Sequence, residues 1–352
     1  DGISSERIAQ WPPRELWRAS IGSGFSQVAV SGGRVYTMGW SNGQDIVYCF
    51  SETPATPNPA PLWQTSYACS GAEDSSYRDA GTRCTPAVNG TNVYTFSRDG
   101  RLICFDTTTG ASLWSTNLNA SGKEPWGGFS SSPLVEGNLV IVNVGSRGTA
   151  INRATGAVVW GNDGADAGYA SPLAFTRGAQ RTVVVHAGDL CSGVNPTDGV
   201  TLWSLSVGRS SADPIIYNDQ LWAKAGYSGD DSTYLANLGS GTLTSIVWSG
   251  SRPSGENCRV LYNGHLYGPT SSGFKCIEFA TGTEKWSSGL FNTESSVILA
   301  KDQLLIMGGG DSLLAVVQAT PASYQEVNRT NSALSQTWTC PTLANGKLYV
   351  RS

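Results

Sequence analysis

Histidine and charge are both scarce in this chain, and each shortage closes off a class of function. Only two of 352 residues are histidine, His186 and His265, and no Cys-x-x-Cys pair accompanies them, so no zinc or other metal site is expected. Charged side chains make up 14% of the chain, the net charge is −4 and no run of lysine or arginine occurs, which argues against a nucleic-acid partner. A transmembrane helix would need about 18 consecutive apolar residues, and there is no such stretch. The 3.6-residue period of amphipathic helices is missing, as are Gly-x-Ser-x-Gly elbows and phosphate-binding loops.

What the chain does have is repetition. A turn followed by a short apolar or aromatic run recurs eight times, beginning at Gly33-Arg34-Val35-Tyr36, Asn89-Gly90, Gly137-Asn138, Arg181-Thr182, Asp219-Gln220, Asn263-Gly264, Asp302-Gln303 and Asn345-Gly346. Between these copies lies a second motif ending in tryptophan, at Trp17, Trp63, Trp114, Trp160, Trp203, Trp248 and Trp286, with residues 324–327 in the eighth slot. Repeats of roughly 40–50 residues, each holding several short strands, are the mark of a β-propeller. Residues 84–114 read as one unit: an inner strand from Cys84, an Asn89-Gly90 turn, a strand through Phe96, an Asp99-Gly100 turn, a strand from Leu102, and a Thr109-Gly110 turn into an outer strand with Trp114. The expected fold is all-β: one domain over 1–352, an eight-bladed propeller of four-stranded antiparallel blades. Because Trp17 precedes the first hairpin and no outer strand follows the eighth, residues 14–20 are expected to complete blade eight and close the ring.

Segments such as Leu102-Ile103-Cys104-Phe105-Asp106-Thr107-Thr108-Thr109-Gly110-Ala111-Ser112-Leu113-Trp114 and Phe274 to Trp286 resemble the tryptophan-docking repeat of quinoprotein dehydrogenases, shared with the outer-membrane assembly lipoprotein of the BamB type. The opening Asp1-Gly2-Ile3-Ser4 and the closing Thr339 to Arg351 resemble PQQ-binding-like propeller proteins of Planctomycetes and Verrucomicrobia. Among quinone-using relatives the resemblance implies adjacent cysteines, a calcium set of Glu, Asn and Asp, an aspartate base and large capping insertions. None of the eight cysteines here is adjacent to another, and Asp230-Asp231 is a weak calcium candidate, so no PQQ and no other cofactor is expected.

In a propeller the loops leading into the inner strands form one mouth of the channel. At those positions stand Arg83, Trp126, Tyr169, Asp213, Glu256, Asn257, Arg259 and Trp338, a mix of rings, cations, amides and carboxylates that suits a protein or glycan ligand. Thr85-Pro86, Ser132-Pro133 and Ser171-Pro172 read as strand-start rigidifiers, His186 as a hydrogen-bonded structural residue, and His265 as a solvated turn residue on the opposite face. Cysteines at equivalent repeat positions (Cys84, Cys258 and Cys340; Cys49, Cys104 and Cys276) are too far apart to bridge one another if they lie in separate blades, so most are expected to be buried free thiols. Cys69 and Cys84, which flank a polar insertion, are the expected disulfide. The expected function is a non-catalytic periplasmic or extracellular scaffold. The alternative is an enzyme on the same fold, a PQQ-type dehydrogenase or a polysaccharide-active one.

Overall fold

Each of the eight hairpin motifs begins the second strand of a separate antiparallel sheet in a computed structural model of the chain. The structure describes residues 3–6, 8, 10–69, 81–118, 128–161, 163–226, 232–243, 245–251, 258–292, 294–309, 313–331 and 337–352. Among these residues there is no helix. The chain groups into two compact units, a larger one of Glu15–Pro214 with Leu238–Leu243 and a smaller one of Asp1–Arg14, Ile215–Asn237 and Thr244–Ser352.

The larger unit holds four sheets. Sheet one is Ala29–Ser31, Arg34–Ser41, Gln44–Ser51 and Trp63–Ala68; sheet two is Ala87–Asn89, Asn92–Phe96, Arg101–Asp106 and Ser112–Asn117. Sheet three is Leu134–Glu136, Leu139–Val142, Thr149–Asn152 and Val158–Trp160. Sheet four is Leu173–Arg177, Gln180–Ala187, Leu190–Val194 and Thr201–Ser206, with Gly241–Thr242 added in parallel to its last strand. The first strands of these sheets neighbour one another in chain order.

In the smaller unit, sheet five is Ile215–Tyr217, Gln220–Lys224, Ser232–Asn237 and Ile246–Ser251, and sheet six is Val260–Tyr262, His265–Thr270, Gly273–Glu278 and Glu284–Ser288. Sheet seven is Ser296–Ala300, Gln303–Met307, Leu313–Gln318 and Glu326–Asn331; sheet eight is the hairpin Thr342–Ala344 and Lys347–Tyr349. The strand expected at residues 14–20 is not formed. Arg18 N donates to Pro57 O at 2.8 Å and Trp17 packs 5.7 Å from Phe50. Pro12 and Pro13, just ahead, lack the N–H that a ladder needs. Instead Ile3–Ser4 pairs in parallel with the first strand of sheet seven.

Second and third strands supply the core, their aromatic and branched side chains almost wholly removed from water: Tyr94, Phe96, Leu102 and Cys104 in sheet two, Val183 to Val185 in sheet four, Leu304 and Ile306 in sheet seven. Tryptophans of the fourth strands join successive sheets within each unit. The indole of Trp63 donates to Thr107 O (2.9 Å), Trp114 to Arg153 O (2.9 Å) and Trp160 to Pro196 O (2.8 Å). In the smaller unit Trp248 donates to Phe279 O and Trp286 to Thr320 O, both at 2.8 Å. Each ring lies on the turn between strands three and four of the next sheet. This explains a glycine there: a Cβ on Gly156 would stand 2.9 Å from the Trp114 ring, and one on Gly199 2.6 Å from the Trp160 ring.

Candidate functional site

The strand-start edge of the larger unit is tied together by one repeated hydrogen bond. Gln27 N donates to Thr85 Oγ1 (3.3 Å), Thr85 N to Ser132 Oγ (3.0 Å), Ser132 N to Ser171 Oγ (3.1 Å) and Ser171 N to Asp213 Oδ1 (2.6 Å). Each acceptor residue is followed by proline (Pro86, Pro133, Pro172, Pro214), which fixes φ and offers no competing donor. The residue before each of the first three donors adds a second row: Ser26 Oγ accepts Met38 N (3.2 Å), Cys84 Sγ accepts Phe96 N (3.2 Å) and Ser131 Oγ accepts Asn143 N (3.1 Å).

Of the candidate mouth residues, Asp213 is the last acceptor in this series, and its neighbour Arg209 pairs with Asp166 at 2.8 Å. Tyr169, half-buried, accepts the Ser130 hydroxyl on its carbonyl at 3.1 Å. Arg83 places its guanidinium 5.7 Å from the Phe25 ring centre. In the smaller unit Arg259 lies 4.7 Å over the ring of the fully buried Trp222. Trp338 is half-buried two residues before Cys340. Arg83, Tyr169 and Asp213 thus share one edge of the larger unit, and Arg259 and Trp338 belong to the smaller. Trp126, Glu256 and Asn257 lie outside the described residues, as does Asp230-Asp231.

The disulfide expectation is corrected. Cys69 and Cys84 are both free, and the bridge joins Cys258 to Cys340, with Cα atoms 6.2 Å apart. Each of the two free thiols has a local partner: Cys69 Sγ lies 3.6 Å from Ser97 Oγ, and Cys84 Sγ donates to Thr85 O at 3.3 Å while accepting Phe96 N. Burial pushes both thiols up to about 12, so neither is a reactive thiolate. Cys258 and Cys340 occupy equivalent strand-start positions, which the sequence reading had placed too far apart. Arg259 and Trp338 are each within two residues of a bridged cysteine.

His186 is 1% exposed, its Nε2 is 2.8 Å from Gly208 O, and burial pushes its pKa down, so it is a neutral structural imidazole. A cavity of about 270 Å³ lies elsewhere: between sheets five and six, at the hairpin-turn ends of their strands. Tyr217, Asn218, Gln220, Asn263, His265, Glu278 and Phe279 line it. None of the expected mouth residues takes part. His265, read as a solvated turn residue, is half-buried in its wall with Nδ1 2.8 Å from Asn263 O.

Residues 43–288 match the family model described as outer membrane protein assembly factor BamB. One curated relative, the BamB of Yersinia pestis, is 26% identical over 177 residues, 47% of this chain and 42% of the relative, so the match spans less than half of that protein. Among solved structures, BamB from Moraxella catarrhalis aligns with a TM-score of 0.67 at 18% identity, covering 93% of this chain and 91% of its own. A europium-containing methanol dehydrogenase aligns at 0.71 with 14% identity, covering 97% and 84%. The quinohemoprotein alcohol dehydrogenase of Comamonas testosteroni aligns at 0.66 with 12% identity, covering 94% and 70%. At these identities the structural likenesses carry the fold, a β-propeller of PQQ-like repeats. Since the family match runs through sheets two to six and well over half of the residues, this chain belongs to the family of the outer membrane protein assembly factor BamB.

Proposed function

We propose that the chain is a non-catalytic propeller working outside the cytoplasm, where its strand-start face docks protein partners in the assembly of outer-membrane proteins. In this reading residues 1–352 form one ring of eight blades, and Arg83, Trp126, Tyr169, Asp213, Glu256, Asn257, Arg259 and Trp338 share one mouth of it. The observation that carries the reading is how the polar groups of that edge are used. Asp213 holds the Ser171 N–H at 2.6 Å, and the side chains of Thr85, Ser132 and Ser171 each hold the N–H of the preceding repeat. Groups committed to backbone donors make a stiff platform rather than an acid–base centre. Family membership supports the assembly role, and the Cys258–Cys340 bridge supports an oxidising compartment. Among the described residues no helix is long and apolar enough to cross a membrane.

The test is co-purification of the full chain with the outer-membrane protein assembly complex from membranes of its own source organism. Retention that falls at least tenfold on charge reversal of Arg83 and truncation of Trp338 is expected. No retention, or retention indifferent to both changes, overturns the reading. A PQQ-dependent dehydrogenase is the second reading, favoured by the TM-score of 0.71 to the methanol dehydrogenase. The residues do not fit the quinone set: the two bridged cysteines are 82 apart in sequence, and among the described residues no group of three His, Cys, Asp or Glu could hold a metal ion. Incubation with PQQ and calcium is expected to give neither a thermal shift nor dye-linked alcohol oxidation.

A further inference from the structure

We propose that the cavity between sheets five and six binds one neutral sugar ring, a pyranose unit of a glycan. The wall is built for an apolar face. Tyr217, 37% exposed, stands edge-on to the buried Phe279 with ring centres 5.7 Å apart and planes at 88°, so its orientation is fixed from behind. Phe279 is itself held by the Trp248 indole on its carbonyl at 2.8 Å. Pyranose rings carry a patch of C–H groups on one face that packs on an aromatic ring of this kind.

The rim suits hydroxyls. Asn218 and Asn263 sit in left-handed turn positions (φ 48° and 47°), and Gln220 is steadied by donating Nε2 to Asn237 Oδ1 at 3.1 Å. Amides offer both donor and acceptor, the pairing that vicinal hydroxyls present. Glu278 adds a carboxylate held in place by the Thr281 hydroxyl at 2.7 Å, with Lys285 3.7 Å away offsetting its charge. His265, with Nδ1 against Asn263 O, leaves Nε2 as a further polar group. Glu278 is the one carboxylate of the lining, which disfavours phosphates, and Lys285 just outside the lining already pairs with it, so an uncharged polyol suits the site better than a cation. Size narrows the ligand to one ring: about 270 Å³ falls just short of the roughly 300–1,000 Å³ that encloses a drug-sized molecule.

The experiment is saturation-transfer NMR and titration of the full chain with glucose, galactose, mannose and N-acetylglucosamine, with glycerol as acyclic control. At least one sugar is expected to bind saturably in the millimolar range while glycerol does not. Tyr217→Ala should weaken that binding at least tenfold, and Tyr217→Phe should retain it. Asn263→Gly, which keeps the left-handed turn and removes the amide, should weaken it severalfold in a protein of unchanged melting temperature. No saturable binding by any of the four sugars overturns the proposal, as does binding equal to glycerol's or unaffected by both Tyr217→Ala and Asn263→Gly. Because the partner assay probes other residues, either reading can fail without the other.

Discussion

Asp45 should make this protein more stable in mild acid, and replacing it by asparagine should remove that behaviour. The carboxyl is fully buried in sheet one, opposite Tyr67 in the strand register. Tyr67 and Cys69 of sheet one and Ser97 and Asp99 of sheet two face it, yet no short hydrogen bond reaches either carboxyl oxygen. Desolvation therefore outweighs the modest help from Ser97, Cys69 and Tyr67, and the pKa rises from 3.8 to about 6. A folded pKa above the unfolded one means that the contribution to stability is complete below about pH 4 and is lost as pH climbs through 6. A rise of about two units corresponds to roughly 3 kcal/mol, to be read as an order of magnitude. Glu136, Asp106 and Asp163, held below their ordinary values, act in the opposite sense, so the quantity to measure is a difference between proteins. Urea unfolding of the wild type and Asp45→Asn at pH 4, 5.5 and 7.5 should show the variant gaining up to about 3 kcal/mol on the wild type across that range. Parallel stability curves for the two proteins would refute the argument.

The remaining predictions concern the joints between sheets. Gly156→Ala forces a side chain at φ 76° to within 2.9 Å of the Trp114 ring, and should cost about 1–3 kcal/mol by urea unfolding; an unchanged midpoint would mean that the ring does not lie on that turn. In denaturant without reductant, thiol titration should count six free cysteines, and peptide mapping should recover Cys258 linked to Cys340; a Cys69–Cys84 peptide would reverse the correction made above. Replacing both bridged cysteines by serine should lower stability by about 2–4 kcal/mol under oxidising conditions. Asp213→Ala, which leaves Ser171 N without its acceptor, should cost about 1–2 kcal/mol, and Asp213→Asn should recover most of it, since the amide oxygen can still accept.

The parts of this fold that were legible in sequence are those set by local chemistry. The turn ahead of each second strand holds a residue at positive φ, a glycine, asparagine or aspartate in all but one, so all eight second strands begin at the motif that announced them. The turn at Thr109-Gly110 that leads into the strand of Trp114 was legible for a similar reason, although what lies on that glycine, Trp63 of the preceding sheet, is a tertiary fact. The illegible parts all depended on distance between repeats. Cys258 and Cys340 sit in equivalent register, which suggests separation until one knows that strand starts converge. Residues 14–20 carry a tryptophan in phase with the others but follow two prolines, and phase alone does not make a strand.

The same limit explains why one candidate site was read from sequence and another was not. Side chains that precede strands look available in a one-dimensional reading, because nothing local consumes them. Thr85, Ser132, Ser171 and Asp213 are in fact consumed by the N–H of a residue some 40–60 positions away. Turn residues look solvated for the converse reason: Asn218, Asn263 and His265 satisfy hairpin geometry, and only the neighbouring sheet turns them into the rim of a cavity. Repeat proteins should therefore be searched for ligand sites at their turns as closely as at their strand starts. Where a repeat's polar side chains recur with the period, they are the ones committed to joining repeats. Tyr217, His265 and Glu278 lie off that hydroxyl-and-proline pattern. A ligand would meet such side chains, because their polar groups are not spent on a backbone N–H of the neighbouring repeat.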